Sequence, residues 1–196
     1  NILVTLGGAD PDNVTLKVIE ALKLLDEPDI SVRIIIGPAN SHQESLRKAL
    51  TTTLFDTELL VNPPNMPAHM AWADIAVSGG GSTCWELSLF GLPNIILYCA
   101  ENQRLVAEKL HEEDIVLNLG RHSDLSLECI AVAASQMINN KAMRSNMIKS
   151  AEGHIDGGGA ARVCQILEEV NKAAVLMPAK VSSIVNLPGR GGYTGG

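Results

Sequence analysis

The residues best placed for chemistry form one run, Ser78-Gly79-Gly80-Gly81-Ser82-Thr83-Cys84-Trp85-Glu86-Leu87. It follows a strand-like apolar stretch and opens a helical one. Three glycines lower the steric barrier to a bound group. Ser82 and Thr83 offer hydroxyls at a helix N-terminus, where free N–H groups and the helix dipole attract phosphate. Glu86, three residues beyond Thr83, falls within the first turn or so, where its carboxylate can accept hydrogen bonds from both hydroxyls of a ribose. The same spacing, Thr83-x-x-Glu86, is also a capping box, in which Glu86 serves only its own helix. Composition does not separate the two. Trp85 and Leu87 are expected to pack rather than to stack on a base.

Two further stretches fit the same chemistry. Leu6-Gly7-Gly8-Ala9-Asp10-Pro11 puts two glycines between a strand and a helix, which allows close backbone approach to a ligand at the carboxyl end of a sheet. It equally describes a tight turn with nothing bound, and it is neither G-x-G-x-x-G nor a Walker loop. Ala100-Glu101-Asn102-Gln103 follows the next strand. There Asn102 and Gln103 point to the same crevice, or Asn102 caps a helix. A fourth glycine cluster, Asp156-Gly157-Gly158-Gly159, lies between two helices and is expected to be a hinge that starts the last one.

Other chemistries find little support. There is no G-x-S-x-G elbow and no pair of carboxylates that stands out as acid and base. His42, His69, His111, His122 and His154 include no H-x-x-x-H pair and fall in stretches that read as helix surface, loop or turn, away from the strand ends. Cys84, Cys99, Cys129 and Cys164 show no C-x-x-C spacing and have mostly apolar neighbours. Buried thiols in a reducing cytoplasm are expected, not disulfides or zinc ligands. Neither a metal nor a cofactor is predicted.

The elements that must position these residues alternate along the chain. Strands are predicted at 2–6, 31–37, 57–61, 74–78, 94–98 and 115–119. Helices are predicted after Asp10 (as N-cap, with Pro11 as first residue), at 41–50 (with a Ser41-x-x-Glu44 capping box), as a short turn at 66–72, then after Ser82, at 103–111, 125–138, 141–151 and 160–172. Short apolar strands alternating with helices indicate βαβ units, hence an α/β Rossmann-like, doubly wound parallel sheet over residues 1–172. From Ala173 the pattern degrades, and the glycine-rich 173–196 is expected to be a poorly ordered tail. Hydrophobic residues make up 46% of the chain and aromatic ones 3%, so the core must be aliphatic. The net charge of −7, with no Lys/Arg run, argues against nucleic acid as a partner. No apolar run approaches the roughly 18 residues of a membrane span. The chain opens on a strand with no Met, from which a missing N-terminal portion is expected.

Taken together, Leu3-Val4-Thr5-Leu6-Gly7-Gly8-Ala9-Asp10-Pro11, Gly37-Pro38, Met70 to Ala76, Gly80-Gly81-Ser82-Thr83-Cys84-Trp85-Glu86-Leu87, Gly91-Leu92-Pro93 and Glu101-Asn102-Gln103 resemble a known group. It is the C-terminal domain of the UDP-sugar hydrolases of pseudaminic acid synthesis and of spore-coat polysaccharide biosynthesis proteins. That group is similar in turn to the UDP-GlcNAc transferase that makes lipid II, a GT-B fold enzyme. The resemblance covers roughly residues 2 to 170. It implies the C-terminal half of a GT-B type enzyme of the cytoplasm that binds UDP or a UDP-sugar without metal. Glu86 would hold the ribose. Ser82, Thr83 and backbone N–H groups near Gly7, Gly8, Gly80 and Gly81 would hold the diphosphate. Asn102 and Gln103 would face the sugar or the attacking water. It further implies a catalytic histidine in an N-terminal domain with no counterpart here, so that this chain alone is expected to bind UDP without turning over a UDP-sugar. A glycosyltransferase donor half and a non-catalytic subunit that needs a partner are the alternatives.

Overall fold

A computed structural model describes residues 1–25, 27 and 29–176. The chain forms two compact units, Asn1–Asp156 and a second that begins at Gly157. The first is built on six strands: β1 (Ile2–Thr5), β2 (Ser31–Ile36), β3 (Asp56–Val61), β4 (Ile75–Ser78), β5 (Asn94–Tyr98) and β6 (Val116–Arg121). They lie in the order β3-β2-β1-β4-β5-β6, and every neighbouring pair is parallel. This is the doubly wound α/β sheet expected from the alternation of strands and helices.

Seven helices accompany it: α1 (Val14–Leu22), α2 (Gln43–Leu50), α3 (Met66–Trp72), α4 (Thr83–Leu89), α5 (Glu101–Glu112), α6 (Leu127–Asn139) and α7 (Lys141–His154). The two-residue period of the strands divides their side chains between two faces. Ile2, Val4, Ile34, Ile36, Val77, Ile95 and Leu97 pack with residues of α1, α2 and α6, among them Val18, Leu22, Leu46, Ile130 and Met137. Leu3, Ile35 and Ala76 meet Met70 of α3 and Leu87 of α4, while Ile96 and Val116 meet Ala107 and Leu110 of α5. Each buried Leu or Ile contributes about 1.5–3 kcal/mol relative to exposure, so an aliphatic core suffices where aromatic residues are scarce.

Two expected helix starts are corrected. Asp10 is not the N-cap of α1, and Pro11 is not its first residue. The chain turns once more, with the Asn13 N–H donating to the Asp10 carbonyl at 3.0 Å, and α1 begins after Asn13, whose φ is 52°. Asp10 serves the helix from a distance: its buried carboxylate accepts from the N–H groups of Val14 and Thr15, each at 2.8 Å. The Ser41–Glu44 capping box does not form either. Asn40 takes the His42 N–H at 2.8 Å, and α2 starts at Gln43. The short helix α3 does form, capped by Asn65, which accepts from Ala68 N–H at 3.2 Å.

At the far edge β6 carries a bulge. Ile96 pairs with Asn118 but Leu97 with Gly120, leaving Leu119 as the extra residue, and Gly120 has φ 99°. A bulge turns the exit of its strand, and here β6 runs on to Arg121 before a 3₁₀ turn at His122–Asp124.

In the second unit, α8 (Gly159–Leu176) begins at the last glycine of the predicted hinge cluster. Residues 177–196, which hold most of the expected tail, lie outside the described residues. Among the described residues no helix is long and apolar enough to cross a membrane. All four cysteines are free, but only Cys84 is buried; Cys99 is half-buried and Cys129 and Cys164 are exposed. The expectation of four buried thiols is therefore corrected: Cys129 falls outside the inward stripe Ile130, Ala133, Ala134 and Met137 of α6.

Candidate functional site

Strand order reverses at β1, with β2 and β3 on one side and β4 to β6 on the other. In sheets of this kind ligands bind outside the carboxyl ends of the strands at that reversal. Thr5 is in register with Ser78, so Leu6-Gly7-Gly8 and Gly79-Gly80-Gly81 leave the sheet side by side.

The two loops meet a third. A Cβ added to Gly79 would lie 3.8 Å from Gln103 Oε1, 4.0 Å from Cys99 Sγ and 4.0 Å from the Leu6 carbonyl, so the exits of β1, β4 and β5 converge there. A Cβ on Gly80 would come within 3.0 Å of Gln103 Cβ and 3.1 Å of the Gln103 carbonyl. Gln103 is fixed in turn: its Oε1 accepts from the Cys99 N–H at 2.9 Å. Gly7 has φ 97°, a backbone region that favours glycine. Gly37, at the exit of β2, abuts the first loop so closely that a Cβ there would lie 2.3 Å from the Gly8 carbonyl oxygen. Gly37 stands outside the loop glycines that spacing singles out and belongs only to the family resemblance; its one local signal is a glycine directly after a strand.

The first turn of α4 separates the two roles considered for Glu86. The residue at the cap position is Ser82, in helical geometry and without a capping side chain, and Thr83 is already the first helical residue. The Thr83–Glu86 box is thus one residue out of register and does not form. Glu86 is exposed, with no side-chain partner among the described hydrogen bonds and ion pairs. The N–H groups of Cys84 and Trp85 bond to the carbonyls of Gly81 and Ser82 at 3.2 and 3.1 Å, while those of Ser82 and Thr83 have no acceptor within the helix. Asn102 is not a cap: that position in α5 is Ala100, and Asn102 stands exposed in the first turn. Leu87 packs as expected, but Trp85 is 44% exposed on the outer side of α4.

Electrostatics around the loops are not basic. Burial, followed by the charges of Asp10 and Asp12, pushes the Cys99 thiol up to about 11, and burial pushes Cys84 to about 11. Both are protonated at neutral pH and are poor nucleophiles. Two histidines require a correction. His42 places Nε2 3.2 Å from the Pro11 carbonyl, and His122 places Nε2 3.3 Å from Asp12 Oδ2. Both therefore flank the segment after β1 instead of lying away from the strand ends; His122 follows directly on β6 and its bulge. His69, His111 and His154 lie on helices, the last two bonded to the carbonyls of Val116 and Ser150. Among the described residues no group of three or more His, Cys, Asp or Glu side chains is arranged to hold a metal ion.

Glycine loops that converge on the reversal point of a 3-2-1-4-5-6 parallel sheet define a Rossmann-like domain of the GT-B type. The chain belongs to the glycosyltransferase family 28 C-terminal domain family, which it matches over residues 1–163. It is 28% identical over 171 residues to the spore coat polysaccharide biosynthesis protein SpsG of Bacillus subtilis, covering 87% of this chain and 50% of that protein. It is 27% identical over 155 residues to the Helicobacter pylori pseudaminic acid cytidylyltransferase and UDP-2,4-diacetamido-2,4,6-trideoxy-beta-L-altropyranose hydrolase, covering 75% of this chain and 25% of that protein. Among solved structures, Acinetobacter baumannii MurG superposes with a TM-score of 0.70 at 16% identity, over 86% of this chain and 52% of MurG, a likeness of fold. The chain thus spans about half of SpsG and of MurG and a quarter of the Helicobacter protein.

Proposed function

We propose that this chain is the nucleotide-binding half of a cytoplasmic GT-B type enzyme that hydrolyses a UDP-sugar and releases UDP. The observation that carries the proposal is the state of Glu86: an exposed carboxylate with no structural partner, one turn into the helix that follows the triple-glycine loop. In this reading Glu86 accepts hydrogen bonds from both ribose hydroxyls. Gly7, Gly8, Gly80 and Gly81 let backbone approach the diphosphate, which the N–H groups and hydroxyls of Ser82 and Thr83 hold. Gln103 braces the loop, and Asn102 orients the sugar or the attacking water.

Hydrolysis needs a base within hydrogen-bond reach of water. An amide does not titrate near neutral pH, and the Cys84 and Cys99 thiols stay protonated. In our proposal the base therefore comes from an N-terminal domain that completes the enzyme. The hydrolase named in the Helicobacter relative supports this choice of reaction. A second reading, the donor half of a glycosyltransferase, is favoured by the family itself. Calorimetry of this chain with UDP, CDP, GDP and ADP tests the nucleotide site; binding to none of them removes the proposal. UDP release from a UDP-sugar by the two-domain protein then separates the reactions. Release without acceptor supports hydrolysis, and strict dependence on an acceptor selects transfer.

A further inference from the structure

Two polar side chains of the sheet are completely buried. Ser78, the last residue of β4, and Asn94, the first of β5, are both 0% exposed. Asn94 Nδ2 donates to Ser78 Oγ at 2.8 Å, and Ser78 Oγ donates to the Gly79 carbonyl at 3.0 Å. Asn94 Oδ1 is buried with no partner. As a device for stability this is a poor one. A buried amide with an unpaired oxygen costs free energy, and apolar residues of the same shape serve a core as well or better.

The relay ends on the first peptide of the triple-glycine loop. A trans peptide sets its carbonyl and its N–H in opposite directions. Holding the Gly79 carbonyl on Ser78 therefore turns the Gly80 N–H away from Ser78 and Asn94. It also fixes the peptide from which Gly81, Ser82 and Thr83 continue. Glycines do not hold such an orientation by themselves. We propose that Ser78 and Asn94 are positioning residues for the diphosphate: they set the direction of the loop amides from within the core. This rests on the nucleotide reading given above.

The test compares UDP and uridine binding by the parent chain, Ser78→Ala and Ser78→Ala/Asn94→Leu, alongside thermal melts. Loss of one neutral hydrogen bond in the loop corresponds to about fivefold weaker UDP binding. Ser78→Ala loses stability and UDP affinity together. The double variant, with both polar partners replaced, regains stability while UDP binding stays weak; uridine, which lacks phosphate, binds all three alike. Should the double variant fail to fold, Ser78→Thr keeps the hydroxyl and restores UDP affinity relative to Ser78→Ala. UDP affinity that follows stability across the variants, or that never changes, overturns the relay. Failure of the parent chain to bind UDP overturns the nucleotide reading itself.

Discussion

Replacing Glu86 by Gln separates a ligand-binding carboxylate from a structural one. The side chain is exposed and holds no partner within the described residues. What folding loses is its favourable interaction with the N-terminal end of α4, a few tenths of a kcal/mol, and surface changes of this kind stay within about 0.5 kcal/mol. For a chain of this size that is a shift in Tm of about 1–2 °C. Hydrogen bonds to a charged group contribute about 1.5–3 kcal/mol. If the carboxylate holds both ribose hydroxyls, Glu86→Gln weakens UDP binding by roughly 10- to 150-fold. Titration calorimetry with UDP and with its 2′,3′-dideoxy analogue reads this directly: the loss is large for UDP and close to nothing for the analogue. A fall in Tm of more than about 5 °C with unchanged UDP affinity would refute the reasoning, because Glu86 would then serve the helix. Equal weakening for both ligands would refute it differently, by placing the carboxylate away from the ribose.

Gly37→Ala drives a methyl against the backbone of Gly8 and should destabilise by about 1–3 kcal/mol in urea melts, whereas Gly153→Ala, with open space inside α7, should gain about 0.5–1 kcal/mol; similar melts for the two would contradict the close approach. The folded state holds the Cys84 and Cys99 thiols near 11, above the 9.0 of a free thiol, so their contribution to stability is complete below pH 9 and is lost as the pH rises toward 11. Cys84→Ala should flatten stability measured across that window, and an unchanged slope would count against the burial argument. The isolated chain should release no UDP from a UDP-sugar even at high enzyme concentration. Clear turnover that disappears in His42→Ala or His122→Ala would put the base in this half.

Much of the fold was legible because parallel strands covered on both sides must be apolar throughout, and runs such as Ile34-Ile35-Ile36 leave few other readings. The convergence of three strand exits was legible for the same reason: strand order and loop composition bring Gly79 to Gly81 beside Gln103. What escaped depends on contacts between residues far apart in sequence. Gly37 is required by the backbone of Gly8, a constraint no local pattern records. The start of α1 depends on Asp10 serving two N–H groups from beyond the cap, across an extra turn. The place of His122 rests on its contact with Asp12, far earlier in the chain, which spacing does not record. The ambiguity over Glu86 turned on whether Ser82 or Thr83 occupies the cap, a shift of one residue that spacing alone does not resolve.

The position of β1 in mid-sheet has a consequence for how the domain is made. β1 is synthesised well before β4, one of its neighbours, so Ile2, Leu3 and Val4 wait for Ile75, Ala76 and Val77. At about 5–20 residues per second on the ribosome, that interval is several seconds. Throughout it the nascent chain displays the unpaired edge of a mostly apolar strand, the kind of surface on which other chains pair. By then α1 and α2 can cover the face of Ile2 and Val4 and β2 can pair with one edge, but the opposite edge waits for β4 and the face of Leu3 for the α4 residue Leu87. The domain's hazard is therefore greatest before its fourth strand exists. Slower translation between β2 and β4 should lower the soluble yield without altering the stability of the protein that does fold.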